Sequence, residues 1–159
     1  MSFKMINVGI ADIKVSTTPD ILRTILGSCV GICMYDNENK TGGMAHIMLP
    51  EYRKKSTSKM KYADTAIPIL IQKMINAGAD KKNLVSKIVG GAKMFDVSDE
   101  SIMNEIGRQN VQKVKEVLHE LSIPILGEDV FGGSGRTIDF YLESGEVKIK
   151  SMGKEVKVL

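Results

Sequence analysis

The chain is dominated by short β-branched or apolar runs, each cut off within a few residues by Gly, Asn, Asp or Pro. Such runs read as strands over 5–10, 21–26, 30–35, 43–49, 86–89, 123–130, 137–142, 147–150 and 156–158. Only two stretches carry helical periodicity. In 62–77, Ala63, Ala66, Ile67, Leu70, Met74 and Ala77 recur at helical spacing and Gly78 offers a stop. Pro68 fits best if that helix starts near Asp64 or Thr65, placing it close to the first turn. In 105–121, Ile106, Val111, Val114, Val117, Leu118 and Leu121 make an apolar stripe, with His119 on a polar face and Pro124 beyond the end. Many strands and two helices predict an α+β fold with helices packed on a mostly antiparallel sheet.

At 159 residues the chain is sized for one domain spanning 1–159. It is 43% hydrophobic and 26% charged, a globular balance that argues against disorder. A net charge of +3 is too small to argue for nucleic acid. No apolar run is long enough to span a membrane, and residues 1–10 lack the core of a signal peptide. These features predict a cytoplasmic protein without membrane insertion. Segment 53–61 holds five positive charges and no acid. It reads either as a solvated loop or as a contact for an acidic partner.

Two cysteines, Cys29 and Cys33, and two histidines make neither a disulfide framework nor a zinc site. No metal and no cofactor is expected. The notable local feature is Gly27-Ser28-Cys29, a turn between two apolar strands. A cysteine there can present its sulfur at a strand end, where backbone N–H groups of Gly27 and Ser28 could stabilise an oxyanion. The plainer reading is a small buried hydrophobe, and Cys33 is read that way. His46 sits in Gly43-Met44-Ala45-His46-Ile47-Met48-Leu49, where burying an imidazole is costly unless its nitrogens are satisfied. If 37–40 closes a hairpin with Asp36 opposite Thr41, His46 faces Gly31. Cys29 is then a diagonal neighbour on the same face, about 7–8 Å away between Cα atoms. A one-residue slip puts the two on opposite faces. The sequence permits the pair without requiring it. A Cys beside a His is the minimum for thiol catalysis, with an imidazolium lowering the thiol pKa. A third group normally orients the ring, and Thr24 can offer its hydroxyl.

Leu26-Gly27-Ser28-Cys29-Val30-Gly31 followed by Gly43-Met44-Ala45-His46-Ile47-Met48-Leu49-Pro50 resembles the chemoreceptor glutamine deamidase family CheD. Lys61-Tyr62-Ala63-Asp64-Thr65-Ala66, Gly90-Gly91-Ala92-Lys93-Met94-Phe95, Ile106-Gly107-Arg108-Gln109-Asn110 and Gly132-Gly133-Ser134-Gly135-Arg136-Thr137 occur in the family's order. The likeness spans about 8–150. It implies an α/β/β sandwich similar to the deamidase domain of cytotoxic necrotizing factor. It also implies hydrolysis of glutamine side chains on methyl-accepting chemotaxis receptors, with release of ammonia. Carried over, Cys29 is the nucleophile, His46 the acid-base partner and Thr24 the third residue. The Thr–Cys spacing is one residue shorter than the family's, and Arg23 stands where the longer spacing would put the threonine. CheC is the implied binding partner. A generic cysteine amidase, or an adaptor acting mainly by binding CheC, would share much of this sequence. The glycine clusters at 90–91 and 132–135 read either as tight turns or as places where the backbone nears a substrate helix.

Overall fold

The computed structural model describes residues 2–54, 58–94 and 102–159, the side chains of 102–104 excepted. The chain runs β1 (Met5–Asn7), β2 (Ile13–Thr17), β3 (Ile21–Leu26), β4 (Val30–Asp36), β5 (Thr41–Ile47), α1 (Ala63–Asn76), β6 (Leu84–Gly90), α2 (Ile102–Glu120), β7 (Ile125–Val130), β8 (Arg136–Tyr141), β9 (Val147–Ser151) and β10 (Lys157–Val158). The strands form two five-stranded sheets, in the orders β1-β3-β8-β9-β10 and β2-β5-β4-β6-β7. Among the strands of the described residues, only the β1–β3 and β6–β7 pairings are parallel. Helices, second sheet and first sheet stack as three layers, so the fold is a mixed α+β sandwich with mostly antiparallel sheets.

The central strands β4 and β5 are buried along their whole length, because both faces are covered. Their alternation divides the molecule's apolar interior into two cores. Val30, Ile32, Met34, Ala45 and Ile47 pack with the buried faces of α1 and α2. Cys33, Tyr35 and Met44 turn the other way and pack with Leu22, Leu26, Ile138 and Phe140 of the first sheet. The glycine pair of β5 makes this double contact possible. A Cβ on Gly42 would collide with Leu142, and one on Gly43 would sit 2.7 Å from Leu70 Cδ1.

Three expectations need correction. The strand β2 is absent from the set that the sequence predicts. Ile13-Lys14-Val15 offers two apolar residues in a polar stretch, and pairing from Ile13 with Ala45 to Thr17 with Thr41 is what makes it a strand. Pro68 lies deeper in α1 than expected, since the helix begins at Ala63. The proline is exposed, and its missing N–H bond is offset by the six buried apolar residues of that helix. The strand expected over 5–10 ends at Asn7, because the Val8 carbonyl takes the Thr24 hydroxyl.

Candidate active site

β3 belongs to the first sheet and β4 to the second, so the turn Gly27-Ser28-Cys29 crosses between the layers. Three successive carbonyls of this turn are tied down. Gly27 O accepts from Ala92 N at 3.0 Å, Ser28 O from Asn110 Nδ2 at 3.1 Å and Cys29 O from Gly91 N at 2.9 Å. In a trans peptide the N–H points opposite to the carbonyl. The N–H groups of Ser28 and Cys29 therefore face away from Ala92 and Asn110. The close approach at Gly90 is one only glycine allows: φ is +117°, and a Cβ there would collide with Cys29 O. The Gly90-Gly91 pair thus serves the protein's own packing against the cysteine turn and α2.

β5 carries His46 opposite Gly31 of β4, with Asp36 opposite Thr41. The hairpin register is the one that puts Cys29 and His46 on the same face. That face points into the space between the sheets, where Cys29 packs at the edge of the Cys33 and Leu26 cluster. The space above Gly31 is not a gap: Leu26 Cδ1 would lie 3.2 Å from a Cβ there.

Thr24 comes from the other sheet. It is buried, between Leu22 and Leu26 on the inward face of β3. Its Oγ1 lies 2.7 Å from Val8 O and 2.8 Å from His46 Nδ1. A carbonyl can only accept, so the hydroxyl proton goes to Val8 and the hydroxyl oxygen accepts Nδ1–H. This network assigns the tautomer: His46 carries its proton on Nδ1 and presents a bare lone pair at Nε2. Nε2 is buried and has no hydrogen-bond partner. An unpaired buried acceptor costs about 1–3 kcal/mol. Arg23, the neighbour that a longer Thr–Cys spacing would use, points outward and pairs with Asp139 at 2.6 Å.

Burial holds the His46 imidazole below its ordinary value, partly opposed by the Val8 carbonyl. Burial pushes the Cys29 thiol up, partly opposed by its own backbone N–H. Desolvation disfavours the charged form of each group. Cys33 is 1% exposed, and its thiol is pushed up to about 12 by burial.

A cleft of about 450 Å³ runs past Val8, Ile10, Thr24, Ile25 and His46. Ile10 and Ile25 are exposed large apolar residues on its rim. Another cleft, lined by Gly91, Lys93, Arg108, Phe131 and Gly132, has exposed Phe131 at its edge. Exposed Met94 packs against Gly27. Phe95, the last residue of one family block, and 55–57 of the basic segment lie outside the described residues. His119 is exposed on α2, as its polar face suggests. Among the described residues no group of three or more His, Cys, Asp or Glu could hold a metal, and no helix is long and apolar enough to cross a membrane.

Sequence reasoning misses Asn110, which is fully buried and donates to both Ser28 O and Met48 O. The signal is present as a polar residue beside Val111 and one turn before Val114, in the apolar stripe of α2.

The profile described as CheD chemotactic sensory transduction matches residues 48–151. The chain belongs to the CheD family. It is 50% identical over 160 residues to a Clostridium botulinum (strain Hall) protein named "Probable chemoreceptor glutamine deamidase CheD", with 99% of both chains covered. A protein of the same name from Caldanaerobacter subterraneus subsp. tengcongensis is 49% identical over 162 residues, with both chains fully covered. These relatives align through the N-terminal third that carries Thr24, Cys29 and His46. Among solved structures, Bacillus licheniformis hypothetical protein YfiH overlaps 74% of this chain and 49% of its own at 14% identity and a TM-score of 0.46. A Neisseria meningitidis protein of the DUF152 family overlaps 82% and 62% at 10% identity and a TM-score of 0.41.

Proposed function

We propose that this CheD-family chain hydrolyses glutamine side chains on methyl-accepting chemotaxis receptors to glutamate, through a thioester on Cys29. The observation that carries the reading is the Thr24–His46 contact, which leaves Nε2 as a bare base on the face that Cys29 shares. Nε2 takes the thiol proton as the sulfur attacks the amide carbon. In this reading the N–H groups of Ser28 and Cys29, which face away from Ala92 and Asn110, hold the oxyanion. The imidazolium then protonates the departing nitrogen, the C–N bond breaks, and ammonia leaves. Water adds to the thioester with His46 again as base, releasing glutamate and restoring the thiol. Coupling proton transfer to attack suits a pair whose charged forms burial disfavours, since neither desolvated charge has to exist beforehand.

The rim supports a macromolecular substrate. Ile10, Ile25, Met94 and Phe131 are exposed around the site, with Lys93 and Arg108 lining the second cleft. An amphipathic receptor helix with acidic positions complements such a surface. The reading takes residues 1–159 as one cytoplasmic deamidase domain related to cytotoxic necrotizing factor, with CheC as a binding partner; these points come from the family resemblance.

The test is mass spectrometry of a receptor cytoplasmic fragment incubated with the protein, alongside ammonia release from free glutamine and from a short glutamine peptide. Conversion at specific glutamines of the fragment, with negligible turnover of free glutamine, is the expected result, because remote contacts supply the binding energy that orients the amide. Comparable efficiency on free glutamine would make this a generic cysteine amidase. Binding of CheC without any deamidation would make it an adaptor.

A further inference from the structure

Asn110 is a buried polar residue that the proposed reaction leaves unused. It lies in the apolar stripe of α2, where Val111 and Val114 are ordinary core residues. Its Nδ2 donates to Ser28 O at 3.1 Å and to Met48 O at 2.9 Å. Both partners are carbonyls, so the nitrogen and not the oxygen must face them. One acceptor stands immediately before Cys29, the other two residues after His46. The two elements that carry the reacting side chains are therefore tied to one amide group.

The tie to Ser28 has a direct chemical consequence. The Ser28 carbonyl and the Cys29 N–H belong to one planar peptide unit. Fixing the carbonyl fixes the direction of the N–H, and a hydrogen bond to the oxygen polarises it. That same N–H favours the Cys29 thiolate, opposing the upward push of burial on the thiol. Helix α2 comes close enough to make the tie because residue 107 is glycine. A Cβ there would sit 2.6 Å from Gly91 O and 2.8 Å from Ala92 O. Gly107 and Asn110 thus work together, one admitting the helix and the other gripping the turn.

We propose that Asn110 is a positioning residue for the Cys29 reaction: through Ser28 O it aims the Cys29 N–H at the reacting sulfur and oxyanion, and through Met48 O it fixes the end of the His46 strand against the same turn. This rests on Cys29 being the nucleophile.

The experiment compares wild type, Asn110→Ala, Asn110→Ser and Val114→Ala. Val114→Ala removes core volume one turn away and serves as a matched stability control. Each protein is measured for thermal midpoint, for kcat and KM on a receptor fragment, and for the pH midpoint of Cys29 alkylation by iodoacetamide, read by peptide mapping. Loss of an oriented oxyanion donor costs about 10²–10³ in kcat, so misaiming one should cost on the order of tenfold. Asn110→Ala should lower kcat by that order with KM within about twofold, and its alkylation midpoint should move up. Simple loosening would do the reverse, exposing the thiol and moving the midpoint down toward its ordinary value. Asn110→Ser keeps one donor and should lie between; if Asn110→Ala does not fold, the same readings on Asn110→Ser decide. Val114→Ala should lose thermal stability with kcat and midpoint unchanged. The proposal is overturned if the Asn110 midpoint stays put or falls, or if kcat drops no more than in Val114→Ala. Wild type and Cys29→Ala run in parallel. A wild type that leaves the receptor fragment unmodified would sink the deamidase reading alone, since the alkylation midpoint still reports on the turn.

Discussion

Cys29 and Cys33 share a strand direction, face the same inter-sheet space and stand four residues apart, yet their exposure and polar surroundings differ. Cys33 is sealed in the core opposite Lys87, with its thiol pushed up to about 12. The half-buried Lys87 ammonium is itself satisfied by Gly145 O at 2.8 Å and Leu159 O at 2.9 Å. At the other end Cys29 stays partly open at a turn whose carbonyls are all engaged elsewhere. On the same face His46 is satisfied at Nδ1 and bare at Nε2. A completed set of bonds makes one end a piece of structure. An unpaired acceptor, on the face shared by a partly exposed cysteine, sets the other end apart.

The sharpest break of this contrast is Cys29→Ala, which should abolish deamidation while the melting midpoint stays close to wild type. Mass spectrometry of the receptor fragment and a thermal melt read both halves. Equal loss of turnover in folded Cys29→Ala and Cys33→Ala would erase the distinction between the two ends. His46→Ala should come next, losing activity nearly as completely, because residues that act as a unit are not additive.

Thr24→Val should cost less than either, on the order of tenfold in kcat, since the ring remains but loses the acceptor that fixes its tautomer. Thr24→Ser should restore most of that loss. A silent Thr24→Val would mean that the Val8 carbonyl alone orients the imidazole.

The pH dependence sharpens the electrostatic side. The proposed reaction needs neutral His46, and burial holds its pKa below the ordinary 6.5. The acid limb of kcat/KM should therefore lie below that value. Stability follows the same sign. Below about pH 6.5 the unfolded chain takes up a proton at residue 46 that the folded chain resists. Folding stability is thus fully present above that value and declines as pH falls toward the folded pKa. Urea midpoints across this window should show a shallower decline in His46→Ala. The smallest effect belongs to Cys33→Ala: turnover near wild type, with about 1 kcal/mol or more of stability lost to the cavity, read by urea unfolding.

Much of the site is legible in the amino-acid sequence. Short apolar runs bounded by turn residues place β4 and β5 and leave two hairpin registers, of which the fold adopts the one with Asp36 opposite Thr41. The Gly-Ser-Cys turn is likewise a local signal. The strand β2 is not legible, since its two apolar residues become a strand only by pairing with the edge of β5. Asn110 is visible as an anomaly in an apolar stripe, but its two partners lie 82 and 62 residues away. The Val8 carbonyl carries no signal, because a backbone acceptor looks the same at every position.

What the sequence by itself determined was the inventory and its local order: two helices, many short strands, one cysteine at a glycine turn and one histidine in an apolar strand. Periodicity and turn chemistry are properties of neighbours along the chain, so they survive without the fold. The tertiary structure decided which atoms of those residues are free to react. The Thr24–His46 contact joins two different sheets, the upward shift of the Cys29 thiol and the downward shift of the His46 imidazole come from burial, and the Ser28 carbonyl is held by Asn110 of α2. Desolvation and hydrogen-bond geometry depend on everything packed around an atom, and that surrounding exists only once the layers have closed.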